Sequence, residues 1–326
     1  MESSNTQIAT LKLLDHQGID WQRVQRSAYL IHQHFSYSYP GPVSDLHQRL
    51  LILPPDHYGD QRYIVHRLDV SAEVAETTHA SDEFGNHVIE LLIPRVEQSI
   101  DFEVWIVVER SAEHGQLLLP PTALTDPRYL EPSPLTQPDD ALRTMAAALA
   151  AEIDPRDRPQ ELARRINEKA HETLKYAHDV TSIHTTASEA LALGQGVCQD
   201  YAHIMLALCR LCGLPARYVS GHLLGEGSTH AWVEALLPAP EQDIQPGQTG
   251  AAMTLALDPT HGCETSLSYL TVAVGRDYYD VAPTSGTFRA PYRGELTASK
   301  RVGPISLEYA DSEGRPQGYA PTMTTQ

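Results

Sequence analysis

The sequence predicts an α+β protein, in which an all-β, sandwich-like domain precedes a domain of helices packed on an antiparallel sheet. Residues 29–109 contain short runs of alternating apolar and polar residues separated by turn residues, a pattern typical of antiparallel strands. Residues 139–212 carry apolar residues at helical spacing, and residues 217–281 return to alternation. Helices followed by a run of adjacent strands indicate an α+β order rather than alternating βαβ units. A chain of 326 residues is also long for one core, so we expect two domains.

The composition excludes several classes of protein. A formal charge of -18 argues against binding to nucleic acid and to anionic membrane surfaces, both of which attract clusters of Lys and Arg. The N-terminal residues lack the basic start and apolar core of a signal peptide, and no apolar run approaches the roughly 20 residues of a membrane helix. Four cysteines in so long a chain do not indicate a disulfide scaffold. We therefore expect a cytoplasmic protein.

The N-terminal third is predicted to form the β domain. Residues 1–27 show no clean period and are interpreted as a short helix or a loose extension. Residues 28–116 form the β-rich domain, because five strand-like runs lie between Pro- and Gly-containing dividers. These runs are residues 29–39, 46–53, 63–71, 87–93 and 100–109.

A proline-rich stretch at residues 117–138 marks the domain boundary. It contains six prolines and no apolar period, which is typical of an extended and fairly stiff linker. The prolines are Pro120, Pro121, Pro127, Pro132, Pro134 and Pro138.

Residues 139–302 are predicted to form the second domain, and residues 303–326 a frayed tail. Capping residues and helical spacing predict helices at residues 140–153, 159–177, 187–193 and 197–212. Gly213 and Pro215 end the last of these. Strands are expected at residues 217–221, 229–237, 255–259 and 269–274, with a further strand at residues 276–281.

Cys198 lies where a Gly-rich turn runs into the last predicted helix. The first turn of a helix exposes unpaired N–H groups and the positive end of the helix dipole, which favour an anion. A thiol in that position ionises more readily, and the thiolate is the nucleophilic form. Cys198 is therefore the candidate nucleophile.

His230 and Asp258 complete a candidate triad with Cys198. Each lies on a predicted strand, and if these strands pair, the carboxylate can fix the tautomer of the imidazole, whose other nitrogen then faces the sulfur. An isolated helical cysteine is more often a small buried hydrophobe. The coincidence of three such residues at a helix start and on adjacent strands favours catalysis.

Four motifs resemble the bacterial transglutaminase-like family, whose members are often described as candidate cysteine proteases. They are GVCQDYAH (196–203), GLPARYVSG (213–221), HAWVE (230–234) and DPTHG (258–262). Residues 274–281 resemble the closing motif of the family, and the strand-rich region resembles its N-terminal β domain. The resemblance covers roughly residues 29–295 and implies a papain-like fold, with Cys198 as nucleophile, His230 as base and Asp258 as the orienting group. It implies no obligatory metal and no cofactor.

Two features depart from the family pattern. Residues 238–254 are longer than the usual turn and lack the usual Gly-Trp, and His261 stands where Asn is common. Both lie near the expected acceptor side, so the resemblance does not define substrate preference.

The remaining candidates have alternative interpretations. The backbone N–H of Cys198 is the first candidate donor to the oxyanion, with the side chain of Gln195 or Gln199 as a second. Trp232 either covers the triad or packs in the core. Cys209 and Cys212 form a C-x-x-C pair, but they lie within a helix, so core packing is favoured over zinc or redox chemistry.

The sequence thus predicts a cysteine-dependent acyl-transfer enzyme. The leading hypothesis is a peptidase or amidase acting on a protein or peptide substrate. The alternatives are a transglutaminase, in which an amine resolves the acyl-enzyme, and a non-catalytic binding module of the same fold. Three roles are open for the β domain: holding substrate, covering the cleft, or forming a homo-oligomer.

Overall fold

The computed structural model confirms the predicted α+β class. It describes residues 8–15, 19–111, 115, 117–152, 159–240, 251–310 and 316–319. A β-sandwich accompanies a domain in which helices pack on an antiparallel sheet. Parts of the predicted N-terminal extension and C-terminal tail, and most of the loop after residue 238, lie outside the described residues. No helix within these ranges is long and apolar enough to cross a membrane.

The five predicted strands of the β domain are present, with two further ones. In chain order the strands are β1 (Val24–Ser38), β2 (Val43–Leu50), β3 (His57–Tyr58), β4 (Gln61–Val70), β5 (Glu76–Ser81), β6 (His87–Val96) and β7 (Ser99–Ser111). The sequence did not predict β3 and β5, because β3 has two residues and β5 is exposed along its whole length. An exposed strand needs no apolar alternation.

Residues near the C-terminus complete the sandwich, which differs from the sequence prediction. Three further strands belong to it: β16 (Thr284–Arg289), β17 (Glu295–Ala310) and β18 (Pro316–Tyr319). β17 and β18 extend one sheet, whose order is β18-β17-β1-β7-β4-β3. β16 extends the other, whose order is β16-β2-β6-β5. The prediction assigned residues up to 302 to the catalytic domain and the rest to a frayed tail. In β17 most side chains are exposed or half-buried, so the strand is specified by backbone pairing with β1, which its composition does not reveal.

The proline-rich stretch is folded onto the second domain and is not an extended linker. The strand β8 (Leu118–Leu119) pairs with the sheet of the second domain, and short helical turns follow at Pro121–Thr125, Pro127–Leu130 and Pro134–Thr136. Each turn has proline in its first positions, where the missing N–H would have no helical partner in any case. Tyr129 and Leu135 are buried and anchor the stretch.

The four predicted helices of the second domain are present. They are α1 (Asp140–Glu152), α2 (Pro159–Thr173), α3 (Ala187–Leu193) and α4 (Cys198–Leu211). The predicted capping box of α3 is present: Glu189 N–H donates to the Thr186 hydroxyl at 3.3 Å, and Thr186 N–H donates to the Glu189 carboxylate at 2.9 Å. The helix α4 is buried from Gln199 to Arg210 rather than along one stripe, because other elements surround it. It is the central helix of the domain.

The sheet of the second domain is antiparallel. Its strands are β11 (Ala216–Leu223), β12 (His230–Pro238), β13 (Ala252–Asp258), β14 (Cys263–Glu264) and β15 (Tyr269–Gly275), in the order β14-β13-β12-β11-β15. A separate parallel pair joins β9 (Lys175–Tyr176) to β10 (Gln195–Gly196). The strand predicted at residues 276–281 is instead a helical turn, α5 (Tyr278–Val281). Asp277 causes the difference, because its carboxylate accepts from Tyr279 N–H at 2.9 Å and caps the turn.

Two side chains of the sandwich cap the outer edge of the sheet of the second domain. The amide of Gln61 donates to the Thr271 carbonyl at 2.7 Å and accepts from Thr271 N–H at 2.9 Å. Asn86 makes the equivalent pair of bonds with Val274, at 2.7 and 2.8 Å. These contacts satisfy backbone groups of the edge strand β15 that would otherwise be buried without partners.

Candidate active site

Cys198 is the first residue of α4, and just before it the backbone at Gly196 lies close to the Asp200 side chain. Asp200 reaches back so that its carboxylate accepts from Val197 N–H at 2.8 Å and from the Thr181 hydroxyl at 2.7 Å. A Cβ at Gly196 would lie 2.6 Å from an Asp200 oxygen, so only glycine fits there. The half-buried Cys198 sulfur therefore lies at the positive end of the helix dipole, as predicted.

His230 and Asp258 are hydrogen-bonded at adjacent ends of paired strands. His230 begins β12 and Asp258 ends β13, and Nε2 of His230 lies 2.8 Å from Oδ2 of Asp258. The two side chains are 1% and 0% exposed. The predicted pairing of these strands is confirmed by the register from Val233↔Leu257 to Pro238↔Ala252.

Asp258 is surrounded by hydrogen-bond donors. Its Oδ2 accepts from the Tyr269 hydroxyl at 2.8 Å and lies 2.7 Å from Nδ1 of His261, while Oδ1 accepts from Thr260 N–H at 2.8 Å. Burial alone would raise the pKa of this carboxyl, but the hydrogen bonds with His230, His261 and Tyr269 hold the pKa below its usual range. Asp258 is therefore an anion that fixes the protons of both imidazoles facing it.

The pKa of His230 is shifted in the opposite direction, upward. Burial alone would lower the pKa of its imidazole, but its interactions with Asp258, Cys198 and Glu226 outweigh burial and raise the pKa. Nδ1 lies on the side of the ring away from Asp258. This side faces Cys198 and Glu226. Oε2 of Glu226 lies 3.1 Å from Nδ1. The geometry thus favours an imidazolium next to the sulfur.

Lys300 reaches the same site from strand β17 of the sandwich. Its ammonium donates to the Ser228 carbonyl in the loop before His230. Burial lowers the pKa of Lys300 to about 8, while the charges of Glu226 and Cys198 act in the opposite direction. The sandwich therefore contributes a cation to the surroundings of Cys198.

A cavity of about 310 Å³ opens beside these residues. It is lined by Tyr176, His178, Glu226, Gly227, Ser228, Thr260 and His261. Burial, followed by the charges of Cys198 and Glu226, raises the pKa of Tyr176 to about 12, so this phenol is neutral. A second cavity of about 380 Å³ lies between the sandwich and the other face of the sheet. Cys198, His230 and Asp258 line neither cavity, but Glu226 and His261, which contact His230 and Asp258, line the first one. The first cavity is the candidate substrate cleft.

The other predicted site residues lie at the margin of the site. The Gln195 side chain is exposed on β10, and the Gln199 amide is directed to the Ser182 carbonyl at 3.5 Å. Trp232 is 1% exposed, and its ring packs against His230 and Tyr269 with centroids 6.3 and 5.5 Å apart. It lines the second cavity rather than the candidate cleft. Cys209 is buried in the core, in agreement with the packing interpretation.

Sequence reasoning missed four residues of the site. Glu226, Tyr269, His261 and Lys300 all contact the triad or the loop beside it. The DPTHG motif could have indicated His261. The sequence places His261 where Asn is common, but it did not predict the hydrogen bond between His261 and Asp258. Glu226 lies in a polar loop and Lys300 in a distant strand, and neither carries a sequence signal.

Two family models match the chain. The model described as transglutaminase-like superfamily matches residues 147–247, which include Cys198 and His230. The model described as bacterial transglutaminase-like N-terminal region matches residues 29–109. The two matched regions correspond to the catalytic core and to the first strands of the sandwich.

Relatives and a solved structure agree with these matches. An uncharacterised protein of Mycobacterium leprae is 34% identical over 157 residues, and the match covers 45% of this chain and 51% of that protein, about half its length. An uncharacterised protein of Mycobacterium tuberculosis is 26% identical over 286 residues, 79% of this chain and 86% of that protein. The crystal structure of a candidate cysteine protease from Cytophaga hutchinsonii aligns with a TM-score of 0.67 at 20% identity, covering 91% of this chain and 96% of that one. At this identity the likeness shows the shared fold.

Proposed function

Since the chain carries a transglutaminase-like core joined to a bacterial transglutaminase-like N-terminal region, we propose that it is a cysteine-dependent hydrolase of amide bonds. One observation carries the proposal: Cys198 begins helix α4 beside the buried His230–Asp258 pair, whose atoms lie 2.8 Å apart. These are the nucleophile, base and orienting group that thioester chemistry requires.

The first half of the reaction forms a thioester. The Cys198 thiolate attacks the amide carbonyl carbon, and the carbonyl oxygen becomes an oxyanion. The backbone N–H of Cys198 is the candidate donor to it, because the first N–H groups of a helix have no helical acceptor. Nδ1–H of His230 gives its proton to the leaving amine as the C–N bond breaks. Asp258 holds the ring in the required orientation throughout.

The second half returns the enzyme to its starting state. His230, now neutral, accepts a proton from water, and the hydroxide attacks the thioester carbon. The C–S bond breaks, a carboxylic acid is released, and the thiolate–imidazolium pair forms again. Tyr269 and His261 keep Asp258 ionised, which favours the charged imidazole in both halves.

Glu226 favours transamidation as a second candidate function. Its carboxylate lies 3.1 Å from Nδ1 of His230 and lines the candidate cleft. A carboxylate in that position can bind a protonated primary amine, and in a transglutaminase such an amine attacks the thioester in place of water. A protein acyl donor and a fluorescently tagged primary amine distinguish the two functions. Cleavage or ammonia release without incorporated tag supports the hydrolase, and incorporation of the tag supports the transferase.

Alkylation tests whether Cys198 is the activated nucleophile that the proposed enzyme requires. Cys263 is exposed, whereas Cys198 is half-buried, so exposure alone predicts that iodoacetamide modifies Cys263 first. An activated nucleophile reverses that order at neutral pH, because partial desolvation of the Cys263 sulfur raises the pKa of its thiol and keeps it protonated. Peptide mapping after short exposure identifies the modified residue. Faster modification of Cys263 would favour the binding-module alternative.

A further inference from the structure

Three side chains around Nδ1 of His230 form a cluster of potential metal ligands. One ligand atom from each of Glu226, His230 and His261 lies within 4.8 Å of the other two. Glu226 Oε2 is 3.1 Å from His230 Nδ1, and Glu226 Oε1 is 3.8 Å from His261 Nε2. A zinc ion with four bonds of about 2.0–2.1 Å separates its ligand atoms by about 3.3–3.4 Å. Because the two Glu226 distances involve different carboxylate oxygens, and the single ligand atoms lie within 4.8 Å of one another, zinc binding requires side-chain movement on the order of 1 Å to reach tetrahedral separations.

Asp258 fixes the tautomers that such a site needs. Its ionised Oδ2 can only accept, and it lies 2.8 Å from His230 Nε2 and 2.7 Å from His261 Nδ1. Both imidazoles therefore carry a proton on the nitrogen that faces Asp258. When the rings are neutral, His230 Nδ1 and His261 Nε2 present lone pairs toward Glu226. A carboxylate behind the ligating histidines is the arrangement commonly found around protein-bound zinc.

Nδ1 of His230 is buried, and its 3.1 Å contact with Glu226 Oε2 is not a well-aligned hydrogen bond. The His230 side chain is 1% exposed, and no group in the described part of the chain makes a well-aligned hydrogen bond to Nδ1. A buried polar atom without a well-aligned hydrogen bond destabilises the folded protein, and a ligand that binds this atom recovers that free energy. Nδ1 points to the side of the cleft where Glu226 and His261 are accessible, with Glu226 28% and His261 45% exposed. An ion can therefore reach the cluster from solvent through the candidate cleft.

We propose that Glu226, His230 and His261 form a reversible zinc site that switches the enzyme off. The ion is bound by Nδ1 of His230, Nε2 of His261 and the Glu226 carboxylate, with the fourth position open to water. A zinc ion on Nδ1 occupies the lone pair that would otherwise take up a proton, so His230 cannot protonate a leaving amine. The switch rests on the proposed function, whereas the metal site itself does not.

Binding is measured in a protein that lacks the nucleophilic thiol. Zn²⁺ is titrated calorimetrically into the Cys198→Ala protein, and into the same protein carrying Glu226→Gln or His261→Asn. The asparagine retains an N–H that can donate to Asp258, but it offers zinc no imidazole nitrogen. The matched control is His87→Asn, because His87 lies 3.7 Å from an Asp56 carboxylate on the sandwich and outside the cluster. Thermal unfolding shows whether each variant is folded. Glu226→Gln and His261→Asn, the two cluster variants, change different residues and so test the site independently.

We expect one zinc ion per chain, with an affinity at least about tenfold weaker in both cluster variants. Loss of a supporting group behind a metal ligand already costs 10- to 100-fold, and loss of a ligand should cost no less. The His87→Asn control should bind as its parent does. Absence of binding to the parent, or equal binding by the parent and a folded cluster variant, would overturn the site.

Inhibition is measured separately with Cys198 intact. The activity of the wild type and of His261→Asn is compared with and without Zn²⁺, each against its own metal-free rate. Weaker inhibition of His261→Asn supports the switch, and equal inhibition rejects it. A wild type that binds zinc at the cluster but has no activity on any substrate would reject the proposed function and leave the metal site standing.

Discussion

Oδ2 of Asp258 lies 2.8 Å from Nε2 of His230, and both residues are buried at adjacent strand ends. The arrangement sets the tautomer of the imidazole, because an ionised carboxylate can only accept a hydrogen bond. The nitrogen that faces Cys198 is then Nδ1, which is the atom that must exchange a proton with substrate in the proposed reaction.

Asp258→Asn should remove most of the activity. An asparagine amide can donate to Nε2 and so favour the wrong tautomer, which costs roughly 10⁴-fold in the comparable serine enzymes. Steady-state kinetics on the substrate found by screening measures the loss. Asp101→Asn is the matched control, because Asp101 also bonds a histidine, Nε2 of His34 at 2.9 Å, but on the sandwich. A loss of less than tenfold for Asp258→Asn would contradict the role assigned to it.

Glu226→Gln should move the alkaline limb of the pH profile to lower pH. The carboxylate of Glu226 helps to raise the pKa of His230, so its neutral replacement lowers that pKa. The imidazolium is the active form in the first step, and it is then lost at a lower pH as pH rises. The pH dependence of kcat/KM measures the change. An unchanged alkaline limb would show that Glu226 does not act on His230.

Lys300→Met should remove an inflection near pH 8. Burial lowers the pKa of this lysine to about 8, so its positive charge beside Glu226 and Cys198 is present below that pH and lost above it. We expect the wild-type rate to fall as pH rises through that value, and the methionine variant to be slower below it and to lack the step. Lys300→Arg keeps the charge at all these pH values and is the control. If both variants keep the wild-type step, another group causes it.

Gly196→Ala should destabilise the protein. The new Cβ would lie 2.6 Å from Oδ2 and 2.8 Å from Cβ of Asp200, so the start of α4 has to shift. Overpacking of this kind costs about 1–3 kcal/mol, read as a lower midpoint of urea unfolding. Gly227→Ala is the control, since no heavy atom lies within 4 Å of its added Cβ. Equal stability of the two variants would contradict the tight fit.

Gln61→Ala should weaken the joint between the domains. It leaves the N–H and carbonyl of Thr271 without their partner, at a cost of about 1–3 kcal/mol. Hydrogen exchange should then be faster at the Thr271 amide. Gln48→Ala also removes a buried amide, but one that donates to the Ser285 carbonyl within the sandwich. It should destabilise without exposing Thr271, and equal protection of Thr271 in both variants would reject the capping role of Gln61.

Local patterns determined the fold class and most elements of the catalytic domain. Helical spacing and capping residues are properties of a few neighbouring residues, and α3 with its Thr186–Glu189 box is an example. The three candidate residues were also found from local features, a helix start and two strands, and their catalytic roles stay a prediction. The strand at residues 276–281 was predicted wrongly, since the capping by Asp277 outweighed an alternating pattern.

Only the tertiary structure decided what surrounds the triad and which domain the C-terminal strands join. Glu226, His261, Tyr269 and Lys300 come from a loop, a turn and two strands, and their proximity is set by contacts across long sequence separations. β17 pairs with β1 through backbone groups that every residue except proline carries, so no residue type identifies the partner. The sequence by itself determined which residues are the candidates for the proposed chemistry. The folded chain determined the charges beside them, because electrostatic interactions depend on distance in space and not on position along the chain.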